Sequence, residues 1–289
     1  RYCRGAAANG GGGANSVNSS GGGGANGFNG NTWNGQGVMI VNAGNLLSAW
    51  TLDPGYIANG NALTNSSGGG RGGYSWGASA SNPTVTAPGT PSWLGDARRE
   101  IGGLGGRPLT NINAESRIYF GGGGGAGHAN NAAVGSVGSN GGGIIYLITT
   151  SGLTGAGLIE SNGIDATNSL GCTACDGVGG AGAGGSIVIK TSAIALTQTV
   201  LANGGTGASQ LTPPTANESE GAGGGGGGGI TAISATGVSS QINGGSNGIT
   251  VAGFLNTMTS NGATKGATGQ TLSVSPNFIP YTPIVGTFT

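Results

Sequence analysis

The most reactive side chains in this sequence belong to three cysteines and a single histidine. Cys172 and Cys175 enclose Thr-Ala, which is the spacing of redox motifs and of half a zinc site. A zinc site needs a second Cys/His pair, which the sequence lacks, and a thioredoxin-like site needs a helix, which the glycine-rich run 176–182 cannot form. The pair therefore favours a local disulfide that holds a loop. Cys3 is left either as a free thiol or as a cross-link to a neighbouring subunit.

The histidine, His128, stands between a glycine run and Asn130-Asn131, with no acidic residue close to it in sequence. A general base or a metal ligand usually has such a partner to orient the ring. We therefore interpret His128 as a turn residue that bonds to backbone among the glycines.

Three carboxylates, Glu160, Asp165 and Asp176, are close together in sequence. Paired carboxylates can hydrolyse glycosides, and with the amide oxygens of Asn162 and Asn168 they could also hold calcium. The calcium-binding repeat of secreted toxins, G-G-x-G-x-D, is absent. We predict no catalytic residues, no cofactor and no resident metal, with loop calcium as the open alternative. Two more carboxylates, at 218 and 220 beside a Pro-Pro pair, are expected to be solvated.

The charge balance and the apolar pattern exclude further classes. Charged residues make up 6% of the chain and the formal net charge is zero, so no basic patch is predicted for nucleic acid or for an anionic membrane surface. No apolar run reaches the ~18 residues of a membrane-spanning helix. Residues 177–182 match the dinucleotide pattern G-x-G-x-x-G, but such a match is expected by chance among 70 glycines.

Residues 76–110 break the glycine pattern with four prolines, two tryptophans and the densest charge cluster, and are interpreted as an inserted lobe or long loop. A short helical stretch is predicted over 94–101. Aromatic and arginine side chains are favoured anchors of interfaces and also stack on sugars. The candidate contact surface therefore comprises Trp76, Trp93, Arg98 and Arg99.

The rest of the chain repeats one sequence pattern. Glycine blocks at 141, 184 and 228 each open a short apolar run, recurring after about 42–44 residues, and Asn-Gly follows at 162, 203 and 243. Apolar residues in continuous threes and fours are typical of strands covered on both faces. We predict an all-β fold, with stacked short strands in a β-solenoid-like or sandwich arrangement and glycine-rich, polyproline-II-like layers.

Glycine loses more conformational entropy on folding than any other residue, and ordering a backbone costs about 1–2 kcal/mol per residue. Only dense hydrogen bonding can offset that cost, so nearly every glycine block is expected to pack against another. The whole chain, 1–289, is predicted to be a single glycine-rich β domain. Segments 1–35 and 270–289 are predicted to engage an adjacent subunit.

A longer stretch carries a resemblance. Ser116-Arg117-Ile-Tyr-Phe120, the run from Gly121 to Asn131 and Gly141-Gly-Gly-Ile-Ile together resemble glycine-rich repeat regions of large secreted bacterial cell-surface proteins. The resemblance covers residues 100–248 and implies an extracellular, all-β, structural or adhesive protein, without catalytic residues to carry over. A second resemblance, to the glycine-tract adhesins at the tips of phage tail fibres, rests on the alternation of glycine runs with variable loops.

These observations predict a secreted structural protein, extracellular or at the cell surface, whose identical subunits assemble into a filament, sheath or surface layer. Zero net charge removes long-range repulsion between subunits. The alternative is an adhesin whose variable loops bind surface glycans or a receptor. A polysaccharide-cleaving enzyme is disfavoured by the scarcity of charge.

Overall fold

The structure is a computed structural model that describes residues 9–14, 18–27, 69–70, 72–73, 75–76, 99–100, 102–107, 109, 113–114, 116–128, 136–169, 176–196, 199–211, 220–251 and 259–276. Within these ranges it contains eleven strands and no helix. The strands are β1 (Ser75–Trp76), β2 (Arg99–Glu100), β3 (Ile144–Ile148), β4 (Leu153–Gly155), β5 (Leu158–Glu160), β6 (Ser186–Lys190), β7 (Ile194–Leu196), β8 (Thr199–Leu201), β9 (Ile230–Ile233), β10 (Ser239–Gln241) and β11 (Gln270–Leu272).

Strands of successive repeats pair side by side. The largest sheet has the order β11-β9-β6-β3, a second has the order β10-β8-β5, and a third pairs β4 with β7. All pairs in these three sheets are parallel, whereas β1 and β2 form a separate antiparallel pair. The described part of the chain is therefore all-β, as the sequence predicts.

The pairing register follows the sequence repeat. Ile144 lies opposite Ser186, Ser186 opposite Ile230, and Ile230 opposite Gln270. These partners are 42, 44 and 40 residues apart, which matches the spacing of the glycine blocks. The apolar run that follows each glycine block therefore lies in the same sheet. The first repeat comprises residues 141–169, the second 184–211 and the third 228–251.

Burial differs along the largest sheet. β6 is buried at every position and β9 at its first three, whereas the last three residues of β3 are exposed. The prediction that the strands are covered on both faces is confirmed for β6 and is wrong for β3. The reason is position, because β3 is the outermost strand of its sheet and has a described partner on one side only.

The main apolar core lies between the two larger sheets. Ile187 and Ile189 of β6 are fully buried against Val200 of β8 and Ala202. Burial of each large aliphatic side chain contributes about 1.5–3 kcal/mol. The second repeat therefore supplies the centre of this core.

Most glycines lie outside the sheets, in extended segments whose direction alternates along the chain. Antiparallel neighbours are recognised by crossed numbering, as where Gly180 donates to Gly125 and Ala183 donates to Gly122. Segments in one direction are 18–27, 102–107, 136–142, 176–185, 220–229 and 263–269. Segments in the other direction are 9–14, 69–70 with 72–73, 121–128, 161–169, 202–209 and 243–249.

The segment 176–185 shows how these glycines are held. Its amides donate in rotation to three neighbours, 121–128, 220–229 and 161–169, returning to each neighbour at every third residue. Its carbonyls accept from three others, and these are 18–27, 136–142 and 202–209. A period of three residues is that of the polyproline-II helix, which has no internal hydrogen bonds, so the partners must come from surrounding segments.

Close packing of backbone on backbone explains the choice of glycine. A Cβ on Gly180 would lie closer than 3.0 Å to the carbonyl oxygen of Gly22, a separation that real Cβ atoms essentially never show. A Cβ on Gly226 would meet the carbonyl of Gly182 in the same way. For these described blocks, the expectation that glycine blocks pack against one another is confirmed within a single chain.

Two local expectations need correction. Arg99 and Glu100 form strand β2, so the helical stretch predicted over 94–101 is wrong at those positions, since pairing with β1 overrides a weak helical pattern. Residues 102–107 are a buried glycine segment that donates to 220–229. They belong to the glycine layer and not to a lobe outside it, although they fall within 76–110.

The described parts of the predicted intersubunit segments behave differently from each other. Within 1–35, residues 18–27 lie at the centre of the chain's own glycine layer and are buried. Within 270–289, strand β11 pairs with β9 and is an outermost strand of its sheet among the described residues. The outer side of β11 is therefore the better placed of the two for contact with another molecule.

Candidate functional site

The structure brings together part of the predicted contact surface. Trp76 of β1 lies directly opposite Arg99 of β2 in an antiparallel pair. Trp93 and Arg98 lie outside the described residues, as do Cys172 and Cys175 of the predicted disulfide. Because β1 pairs with β2, residues 76 and 99 lie next to each other.

His128 occupies the position that its sequence context predicts. Its amide donates to the carbonyl of Ser19 at 3.1 Å, and its carbonyl accepts from Gly177 at 3.1 Å. Its ring Nδ1 accepts from the amide of Asn18 at 3.4 Å. Both its backbone and its ring therefore join the glycine segments to one another.

The acidic and amide side chains of the first repeat form a ladder, which is a row of regularly spaced hydrogen bonds to the second repeat. They do not meet at a single site. The Oδ1 atoms of Asn162, Asp165 and Asn168 accept from backbone amides of the second repeat at 2.6–2.8 Å. The donors are Asn203, Thr206 and Ser209. On a segment with three residues per turn, side chains three residues apart point the same way, which explains the spacing of three.

The same ladder continues into the third repeat. The amide of Asn243 donates to Oδ1 of Asn203 at 2.8 Å, and the amide of Ile249 donates to Oγ of Ser209 at 3.1 Å. Sequence reasoning missed this role and assigned Asn162 and Asn168 to a calcium alternative. The signal was present, because polar residues three apart recur about 40 residues later in the next repeat.

The run that matches the dinucleotide pattern by chance belongs to the glycine layer. Residues 177–182 lie in the buried segment 176–185, and five of their six amides donate to carbonyls of surrounding segments. A phosphate site needs free amides at a helix N-terminus. This run therefore serves the glycine layer.

A buried polar cluster ties two connections together. Gln210 is fully buried, accepts from the hydroxyl of Ser169, and donates to the carbonyl of Asp176 at 3.0 Å and to the carboxylate of Glu220. Glu220 is buried, so its expected solvation is wrong. It is held at the start of the segment 220–229, where Gln210 pairs with it.

One side of β3 is an unpaired strand edge. Thr149 donates to the carbonyl of Lys190 at 2.9 Å, so the odd-numbered residues next to and within β3 face β6. Alternate residues of a parallel strand bond to opposite neighbours, so the even-numbered residues direct their N–H and C=O groups away from β6. Those residues are Ile144, Tyr146 and Ile148, and no described strand bonds to their outward N–H and C=O groups.

The first repeat holds five of the nine exposed large apolar side chains among the described residues, three of them in β3. Ile148 is 52% exposed, Leu158 55% and Ile164 57%, and all three lie in the first repeat. Phe120 and Val137, just before the repeat in sequence, are exposed as well. Apolar side chains gathered beside an open edge are typical of a contact surface.

The two ends of the glycine layer differ. At one end the chain passes from the glycine segments into the strands β3, β6, β9 and β11. At the other end the chain leaves the segments after residues 14, 73, 128, 169, 209 and 249 and returns at 18, 102, 136, 176, 220 and 263. Alternating direction therefore places these described segment ends at one end of the layer and the strands at the other.

No protein family, curated protein or solved structure that was compared matches the chain. In the part of the chain that the structure describes, no helix is long and apolar enough to cross a membrane. The described residues also contain no group of three His, Cys, Asp or Glu side chains placed to hold a metal ion.

Proposed function

We propose that this chain is a secreted structural protein whose copies assemble into an extracellular filament, sheath or surface layer. In this proposal the repeats are coils of a β-solenoid-like stack, flanked by a layer of polyproline-II-like glycine segments. The glycine layer acts as a stiff scaffold because its central segments are hydrogen-bonded on all sides. The strands carry the surfaces through which copies meet.

The observation that carries the proposal is the open edge of β3. An outermost strand with unpaired N–H and C=O groups is a template for another strand, and soluble monomers usually blunt such an edge with charge or proline. Here the residues at the edge are Ile144, Tyr146 and Ile148, which are uncharged and lie among other exposed apolar residues. The absence of net charge further lowers the barrier to association.

Concentration-dependent assembly tests the proposal. Purified protein is followed by sedimentation velocity over a wide concentration range and then viewed by negative-stain electron microscopy. We expect large species above a critical concentration, with filaments or sheets of uniform width. A monodisperse monomer at the highest concentrations would contradict the proposal.

A second candidate, an adhesin, is favoured by the gathering of connections at one end of the glycine layer. Loops presented together by a rigid scaffold are a common arrangement for binding. The variant that tests this candidate replaces residues 212–219 with a Gly-Ser linker of equal length. Loss of binding on a glycan array by the variant, with unchanged thermal unfolding, would support the adhesin, and the absence of glycan binding by the parent protein would count against it.

A further inference from the structure

One glycine of the repeat has no explanation among the described residues of the chain. Gly143, Gly185, Gly229 and Gly269 immediately precede β3, β6, β9 and β11 and are equivalent in register. A Cβ on each of the last three would lie closer than 3.0 Å to the carbonyl oxygen of the glycine one repeat earlier. A Cβ on Gly143 would meet nothing within 4 Å.

Backbone conformation does not require glycine at position 143 either. The described glycines with positive φ are Gly155, Gly237 and Gly262. Gly143 is not among them, so an alanine there would be neither crowded nor strained. Glycine is necessary at the other three positions because the carbonyl of the glycine one repeat earlier lies against each of them. No described repeat precedes β3 in the sheet, so Gly143 faces no such carbonyl.

The segment before β3 also ends a row. Along the row 136–142, 176–185, 220–229 and 263–269, each segment donates to the next, as where Gly142 donates to Ala183 at 2.8 Å. The carbonyls of Gly138 and Gly141, on the outer side of the first segment, accept from no described donor. Among the described residues, the row therefore begins with acceptors that have no donor.

The other end of the row carries the matching donors. Lys265 and Thr268 in the segment 263–269 are equivalent to Ser139 and Gly142, and their amides donate to no described acceptor. In β11, Gln270 donates to β9, so the next residue, Thr271, directs its N–H and C=O groups outward. In the described part of the chain, the row therefore ends with donors that have no acceptor, in the same register as the acceptors at its start.

We propose that the first-repeat face of one copy (Gly138, Gly141, Gly143 and β3) receives the β11 face (Lys265, Thr268 and β11) of a second copy. This inference rests on the self-assembly proposed above and names its interface. In it, β11 of the second copy extends the parallel sheet beyond β3. Ile144 donates to the carbonyl of Gly269 of the second copy, and that carbonyl lies where a Cβ on Gly143 would be.

A second copy of the chain fits this face for a geometric reason. Donors and acceptors on the two faces repeat the spacing that already joins one repeat to the next within the chain. The two faces are different surfaces, so the contact is head to tail and leaves a free face at each end. Such a contact propagates into an open polymer and does not close as a two-fold dimer.

Three variants test this interface. Gly143→Ala places a methyl group on the first-repeat face. Thr271→Pro removes the outward N–H of β11 and keeps the backbone bond from Gln270 to Gly229, and it also removes the hydroxyl contact of Thr271 with Thr231 of β9 at 3.3 Å. Gly152→Ala is the matched control, since it lies in the first repeat but its Cβ would make only contacts of 3.4 Å or longer, to Ala193 of the same chain. Thermal unfolding at low concentration checks that each variant folds.

We expect Gly143→Ala and Thr271→Pro each to abolish sedimenting polymer at concentrations where the parent protein and Gly152→Ala polymerise. Because each variant keeps one intact face, an equal mixture of the two should form dimers and nothing larger. Polymer formed by Gly143→Ala at the parental critical concentration would overturn the interface while leaving self-assembly intact. A parent protein that never polymerises would instead defeat the proposed function itself.

Discussion

Strands β3 and β6 occupy equivalent positions of successive sequence repeats, but their environments differ. Both follow a glycine block, and their residues pair one to one from Ile144 opposite Ser186 to Ile148 opposite Lys190. β6 is buried throughout, whereas Ile148 is 52% exposed. The difference lies in the neighbours, because β6 has a strand on either side and β3 has a described partner on one side only.

The comparison shows which properties come from the repeated sequence and which depend on the place of its strand in the sheet. Strand formation and pairing register are determined by the repeated sequence. Burial of the strand, and the need for glycine before it, depend on the position of the strand in the sheet. A terminal repeat usually carries a polar outer face that ends the stack, and the first repeat here keeps the apolar character of an internal one.

The largest difference between the two strands is expected from the glycines that precede them. Gly185→Ala would drive a methyl group into the carbonyl of Gly143, and backbone on both sides prevents relaxation. We expect it to destabilise the monomer by about 3 kcal/mol or more. Gly143→Ala, in open space, should stay within about 0.5 kcal/mol of the parent.

Denaturant unfolding of both variants, at a concentration below assembly, measures this difference. Equal destabilisation by the two substitutions would mean that the two positions are packed alike. The difference in packing between the start of β3 and the start of β6 would then be wrong.

A smaller difference is expected from the apolar residues that face each other across the pair. Ile189 is fully buried, and its partner Leu147 is 38% exposed. Ile189→Ala should cost about 2–5 kcal/mol because it leaves a cavity in the core. Leu147→Ala should cost about 1 kcal/mol, and thermal unfolding of the monomer gives both values.

The smallest difference is expected in the side-chain ladder. Oδ1 of Asn162 accepts from the amide of Asn203, whereas Asn243, at the equivalent position of the third repeat, is exposed and has no described donor to its side chain. Asn162→Ala should therefore cost about 1 kcal/mol, and Asn243→Ala close to nothing. Denaturant midpoints resolve the two, and a larger loss for Asn243→Ala would show that the ladder extends beyond the third repeat.

Sequence patterns predict the repeating part of this fold well. The blocks at 141, 184 and 228 predict strands, their spacing predicts the register, and the entropy of glycine predicts that the blocks must bond to one another. These are properties of short windows of sequence and of their periodicity. The role of His128 as a turn residue was predictable for the same reason, since only its close neighbours mattered.

The features that depend on position in the stack could not be predicted in the same way. Nothing in the apolar run of β3 distinguishes an edge strand from the buried β6. The ladder of Asn162 and Asp165 was missed because carboxylates close in sequence suggested loop calcium as the alternative role. Only the three-residue period of the segments places these side chains in a row along one face. Burial of Glu220 depended on Gln210 reaching it across a connection.

Amide hydrogen exchange at two paired residues tests the central claim most directly. Tyr146 and Val188 lie opposite each other in β3 and β6. In the monomer, the amide of Val188 should be strongly protected and the amide of Tyr146, which points away from β6, should exchange rapidly. In the assembled protein both should be protected. A Tyr146 amide that is already protected in the monomer, or one that still exchanges rapidly in the polymer, would contradict the open edge or its occupation by a second copy.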